Sequence, residues 1–457
     1  MAPSNPIPKR LRPWIGNGVK LLITIVGFYF LLGHHVSTWM GAEGGVYFAP
    51  IEGEVAALVV DGEPLPELPN RFLLEEEGAT GFYIDTAHDL LYVRLPEGVH
   101  PRSREVVAEG YESLGTIAIA RAIQGYVGQV DGRTFLLWSL VAMAIKFVGV
   151  LSSAFAWNLL LRGQRLVFPF WQQVVTAFLI GRFIGTFLPS TIGLDGYTLY
   201  EAGRYSNQWH RAITAKALEK FIGIAGLFTG LLVTLPAGYV VLQDVAGDQA
   251  PLLTVFIAVV CGGVTGGVVL GLAKPGAVRW GADLAGPLLP GLLRRHVVRF
   301  TDAATAYQGR FGLLLAALLA KFVTHFTTAV VYYFTALAIG VVGVAFLPIV
   351  FGSLIQILGT LFSPTIAGEG AREALQALLL SNHLGGAAQA VLSAALGFVA
   401  AEAATLWGGA FLWTRTARWR PRYVRVDGEP VDFSWLEGEE APPSALQARP
   451  PAEVASR

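Results

Sequence analysis

Two long apolar runs in this chain are broken by proline and glycine, and each break carries a carboxylate. The first break reads Pro189-Ser-Thr-Ile-Gly193-Leu-Asp195-Gly196 and leads on to Glu201. The second reads Pro364-Thr-Ile-Ala-Gly368-Glu369-Gly370-Ala-Arg372-Glu373. Helical spacing resumes after each. Non-helical backbone is tolerated at membrane depth only where it is buried in protein or lines water. Broken apolar segments at matching places in two halves of a chain therefore point to the binding site of a transporter.

Composition supports a membrane setting for both runs. Of 457 residues, 53% are hydrophobic and only 14% charged, where a soluble chain carries about 25% charged. Net charge is zero and the basic residues are scattered, which excludes a nucleic-acid-binding face. The single Cys261 lies inside an apolar run, so no disulfide framework is expected. Walker, G-x-S-x-G, H-E-x-x-H and C-x-x-C patterns are absent from the sequence. Catalytic residues, metal ligands and a bound cofactor are accordingly not expected.

Four regions follow along the chain. Residues 1–40 read as a basic N-terminus and a first membrane helix over Leu21 to Leu32. Residues 41–132 read as a small external all-β insert of short β-rich runs with turn signals such as Asp61-Gly-Glu-Pro, followed by a helix over Ser103 to Gln129. Residues 133–416 hold the remaining apolar runs, with a polar connection at 275–310 that predicts an interfacial helix. Residues 417–457 read as a tail that is basic at first and disordered from about Glu437.

The positive-inside rule orients this plan. The N-terminus, the Arg162–Arg165 segment, the 275–310 connection and the tail are basic and hence cytoplasmic, whereas the β insert and residues 243–248 are external. Counting crossings then requires residues 166–210 to start and finish inside, and residues 346–385 to start and finish outside. The expected fold is mainly α, a polytopic helical membrane protein with two inverted re-entrant hairpins. Its setting is the plasma membrane, with both termini cytoplasmic.

Pro189 and Pro364 would make the structural turns. Gly193, Gly196, Gly368 and Gly370 permit close backbone approach. Asp195 and Glu369 sit where the helices resume, either as caps alone or as caps that also gate or bind a ligand. Glu219 and Lys220 follow the first turn, and Arg372 and Glu373 follow the second. These charges either pair internally or present Arg372 and Lys220 to a phosphate. Lys321 and His325, spaced i, i+4, with Lys146 and Glu402 in other spans, read as a packed polar contact in preference to an ion relay.

These segments resemble the lysylphosphatidylglycerol synthase/flippase transmembrane-region family. Ala156-Trp157, Phe178 to Pro189, Gly193-Leu-Asp195, Leu218-Glu219-Lys220-Phe-Ile-Gly223 and Ser363 to Glu373 carry the resemblance, over roughly 133–415. It implies a protein tied to translocating charged or glycosylated lipids, with Pro189, Gly193, Asp195, Glu219, Gly223, Pro364, Gly368, Gly370, Arg372 and Glu373 as motif positions. The family's glycine-glycine-aspartate reads Gly193-Leu194-Asp195 here, the arginine three residues later is Thr198, and its acid-arginine pair is Glu219-Lys220. The soluble aminoacyl-transferase domain of true synthases is not expected after Trp413.

The function expected is non-enzymatic transport of an anionic or glycosylated membrane lipid. A membrane-embedded transferase acting on a lipid-linked substrate is the alternative. A membrane anchor whose external β insert binds a protein or glycan is a third.

Overall fold

The computed structural model describes residues 35–436, apart from 38, 42–44, 52–54, 77, 88–89, 97–100, 102–105, 109–115, 119–122, 124–126, 128–129, 188–191, 285–290, 362–369 and 417–418. The expected first helix, the tail beyond Leu436 and the turn residues Pro189, Pro364, Gly368 and Glu369 lie outside the described residues.

The β insert is present, its strands pair antiparallel, and a parallel bridge from Glu67 to Phe82 and a one-turn helix over Phe72–Glu75 complete it. Strands β1 (His35–Ser37) and β9 (Thr116–Ala118) pair with each other. The sheet β2-β3-β7-β6 is built from Met40–Gly41, Val46–Pro50, Leu90–Arg94 and Gly81–Asp85. A second sheet, β5-β4-β8, is built from Glu63–Leu65, Leu58–Val60 and Val106–Ala108. Ala49, Phe82, Leu91 and Val93 of the first sheet share a core with Leu58, Val106 and Ala108 of the second. Asp61 and Gly62 both adopt positive φ, 51° and 84°, which matches the two-residue turn that Asp-Gly favours between twisted strands.

The helix expected over Ser103 to Gln129 is corrected here, because two of its segments are the strands β8 and β9. Val106-Val107-Ala108 pairs with β4, and Thr116-Ile117-Ala118 with β1. β-branched residues that fit a pleated surface outweigh the helical reading of these short pieces.

The helical bundle begins at α1 (Gly132–Gly163), where the side chain of Asp131 caps the first turn by accepting from the Thr134 N–H at 2.7 Å. A π-helical turn (Phe170–Val175) leads into α2 (Thr176–Phe187), and α3 (Ile192–Ser206) returns. Next come α4 (Trp209–Ala246) and α5 (Ala250–Ala273). Phe300 touches both Phe221, early in α4, and Gly271, late in α5. The two helices therefore fold back on each other at Gly247, whose φ of 52° breaks the helix. The 275–310 connection forms α6 (Pro275–Leu284) and α7 (Gly291–Thr305). The remainder is α8 (Phe311–Ala338), α9 (Phe346–Leu361), α10 (Ala371–Leu380), α11 (Ala387–Leu406) and, after a 3₁₀ turn, α12 (Ala410–Thr414).

Among the described residues, four helical stretches are long and apolar enough to cross a membrane: Gly132–Gly163, Trp209–Ala273, Phe311–Ala338 and Ala387–Thr414. Exposed Leu252, Val255, Phe256 and Val259 on α5 are the kind of surface a bilayer covers. This is a multi-pass membrane protein.

Helices α1 and α8 run antiparallel, with Trp138 stacked on Phe334 at one end and Tyr307 donating to the Leu160 carbonyl at 2.8 Å at the other. That axis defines two ends of the bundle, marked by Arg162 and by Asp244. The first hairpin, α2–α3, has both feet at the Arg162 end. Leu166–Val167 (β10) precedes it, and Arg211, just past α3, reaches Asp427 at 2.9 Å and the Gln164 carbonyl. The second hairpin, α9–α10, has both feet at the Asp244 end. Gly352 lies against Leu380 and Gly359 against Leu375, so its arms are antiparallel, and His383, just beyond α10, sits 3.1 Å from Asp244.

Part of the region expected as a tail is built into the fold. Strands β11 (Arg425–Val426) and β12 (Glu429–Pro430) extend β10, and Val424 and Leu436 are buried against the bundle.

Candidate substrate cavity between the hairpins

The two hairpins approach one cavity of about 310 Å³ from opposite ends. Leu194 and Asp195 of α3 reach it from the first hairpin, and Ile357 and Leu361 of α9 from the second. The remaining wall comes from α1 (Lys146, Gly149, Val150, Ser153), α2 (Phe178, Arg182), α4 (Glu219, Lys220, Gly223, Ile224, Leu227) and α8 (Lys321, Thr324, His325, Thr328). Its size falls within the range of small-ligand sites.

A connected chain of charges forms one side. Glu219, buried at 5% exposure, accepts from Lys216 Nζ at 2.6 Å on one carboxylate oxygen and from Lys321 Nζ at 2.6 Å on the other. Lys216 also donates to Thr198 Oγ1 at 2.9 Å, sits 3.8 Å from Asp195 and lies 4.0 Å from the centre of the Trp157 ring. Asp195 in turn pairs with Lys220. The i, i+3, i+4 spacing of Lys216, Glu219 and Lys220 places all three on one face of α4. Position 198, where the resembled family has arginine, thus supplies a hydroxyl to a buried lysine.

Across the cavity, Arg182 donates to Glu402 at 3.0 Å and Thr186 donates to the same carboxylate at 2.6 Å. Lys146 donates to Thr328 Oγ1 at 3.1 Å. His325 hydrogen-bonds the backbone of Gly223. The i, i+4 spacing of Lys321 and His325 does place both on the cavity wall.

The structure brings Asp195, Glu219 and Lys220 together on this wall. Gly193 packs against the Gly185 backbone inside the first hairpin, and Gly196 is exposed with open space beside it. Gly223 lines the same wall, whereas Gly370, Arg372 and Glu373 do not. Arg372 donates through Nε and Nη2 to Glu373 Oε1 at 3.0 and 2.8 Å and covers the Phe398 ring at 4.2 Å. The second carboxylate oxygen of Glu373 takes the Gly370 N–H at 2.7 Å, with Gly370 at φ 78°. Arg372 and Glu373 are buried, and neither lines the cavity. Lys146 and Arg182 are cavity residues that stood outside the expected site; their signal was a lone cation inside an apolar run.

A second polar cluster lies at the foot of the first hairpin. Glu201 accepts from Gln173 Nε2 at 2.6 Å and from the Tyr197 hydroxyl at 3.1 Å, with Arg415 at 3.7 Å. Arg415 also stacks 3.4 Å from the centre of the Trp419 ring and donates to the Gln172 carbonyl at 2.9 Å.

The family model for the lysylphosphatidylglycerol synthase TM region matches residues 117–409. The chain belongs to that family. It is therefore a membrane protein of a lipid-handling family, and the match covers α1 to α11, both hairpins and every residue given for the cavity wall. Neither the curated proteins nor the solved structures yield a match.

Proposed function

We propose that the chain is a flippase that moves an anionic or glycosylated lipid headgroup across the plasma membrane. One observation carries this reading: a charged cavity lies where two helical hairpins from opposite ends of the bundle meet. Its rim supports lateral access for a lipid, because Ile224 and Leu361 are exposed and apolar while Lys220 beside them is half exposed. A headgroup enters the charged interior there, and its acyl chains stay in the bilayer. Rocking of one hairpin against the other opens the cavity to each side in turn. Arg162, Arg165, Arg211 and Arg310 cluster at the Arg162 end, which supports that end as cytoplasmic.

The test is translocation of a fluorescent phosphatidylglycerol in reconstituted vesicles, read by quenching from outside. Lys220→Ala and Asp195→Ala each slow translocation at least tenfold while the protein stays folded by gel filtration. Wild-type rates in both variants would overturn this reading.

A further inference from the structure

Among the described residues, counting the charges that line the cavity and the ion pairs they make, five cations (Lys146, Arg182, Lys216, Lys220, Lys321) face three carboxylates (Asp195, Glu219, Glu402). Asp195 and Glu219 are shared among Lys216, Lys220 and Lys321, and Glu402 is taken by Arg182 and Thr186. Lys146 has no carboxylate within ion-pair distance among the described residues. Its ammonium, 8% exposed, meets the hydroxyl of Thr328 and the cavity. An ammonium has three N–H donors, and one of them has a partner among the described residues. A buried cation that feels Glu402 only beyond ion-pair distance, where Arg182 and Thr186 already hold that carboxylate, is costly at membrane depth and marks a functional position.

We infer that Lys146, positioned by Thr328, binds the phosphate of the transported headgroup, and that the cavity selects an anionic headgroup over a sugar or an aminoacylated, cationic one. This rests on the transport reading above and narrows it. The phosphate supplies negative charge and a charge-assisted contact to the Lys146 N–H donors, while the Thr328 hydroxyl, which donates to the Thr324 carbonyl at 2.7 Å, accepts from the ammonium and holds it in place. Thr324, one turn before Thr328 on α8, lines the same wall. A neutral sugar leaves the excess positive charge uncompensated, and a lysine-bearing headgroup adds to it.

Binding to the purified full chain in detergent tests this by calorimetry, with four probes: dihexanoyl phosphatidylglycerol, a short-chain glucosyl diacylglycerol, short-chain lysylphosphatidylglycerol and inorganic phosphate. Phosphatidylglycerol binds at least tenfold more tightly than the sugar or lysyl lipid, the scale of one hydrogen-bonded charge. Lys146→Met weakens phosphatidylglycerol binding tenfold or more, Lys146→Arg restores most of it, and Thr328→Val weakens it several-fold. Arg279→Ala, on an exposed helix away from the cavity, leaves binding as it is. Equal affinity for the three lipids overturns the inference without any variant, as does wild-type binding by a folded Lys146→Met. Lys146-dependent binding of phosphatidylglycerol without translocation in vesicles sinks the transport reading and leaves the anion site standing. Lys146-dependent binding of inorganic phosphate but of no lipid does the same, and identifies the free anion as the ligand.

Discussion

At the residue scale, Glu219 and Arg372 show how buried charge is managed in two ways. Glu219 lies between two buried lysines, so Glu219→Gln leaves Lys216 and Lys321 without their shared carboxylate. Removing one partner of a buried ion pair costs about 3–5 kcal/mol, and the variant should melt well below the parent in detergent. Replacing Lys216, Glu219 and Lys321 together by Met, Leu and Met should recover most of that loss, and a triple variant as unstable as the single one contradicts this account. Arg372→Ala should act on stability in the same way, because its guanidinium is closed onto Glu373 away from the cavity. Normal melting of Arg372→Ala would show that the pair contributes little. The sequence made these residues visible, since a charge in an apolar run is conspicuous. It could not say which faced the cavity, because the choice between Lys146 and Arg372 depends on which helices lie opposite each.

At the element scale, the first hairpin depends on close backbone approach. A Cβ at Gly193 would fall 2.5 Å from Gly185 Cα and N, so Gly193→Ala must spread α2 from α3. A cost of about 1–3 kcal/mol is expected from such overpacking, measurable as a lowered melting temperature. Gly196→Ala meets open space and should be neutral or mildly stabilising; the reverse ranking would contradict the packing of this hairpin. The foot of the second hairpin is sensitive to pH. Burial holds the His383 imidazole below its usual range, against the pull of Asp244. Its folded form disfavours the proton, so its contribution to stability is full above about pH 6.5 and is lost as pH falls below that value. Thermal unfolding at pH 7.5 and 5.5 should show a larger drop in wild type than in His383→Gln. The hairpins themselves were legible from proline, glycine and charge asymmetry. The strands at 106–108 and 116–118 were not, because three-residue strands are defined by partners at Leu58–Val60 and His35–Ser37 that are distant in sequence. The strap that joins β11 and β12 to β10 went unseen for the same reason.

At the scale of the whole molecule, the two hairpins are arranged in opposition. The feet of α2–α3 and of α9–α10 lie at opposite ends of the bundle, and their inner parts meet at one charged cavity. Positive-inside counting reached this arrangement because charge asymmetry records which end of a helix faces which solution. The cavity's excess positive charge was beyond such counting, since it depends on which charges neutralise one another in three dimensions. Cys261 is the chain's one cysteine and is buried, so a Cys261→Ala background permits a direct measurement. Single cysteines at Asn207, at the foot of the first hairpin, and at Asn382, at the foot of the second, are exposed to a membrane-impermeant maleimide in intact cells and in inverted vesicles. Asn382→Cys should label only in intact cells and Asn207→Cys only in inverted vesicles; labelling of both from the same side would contradict the opposed arrangement of the hairpins.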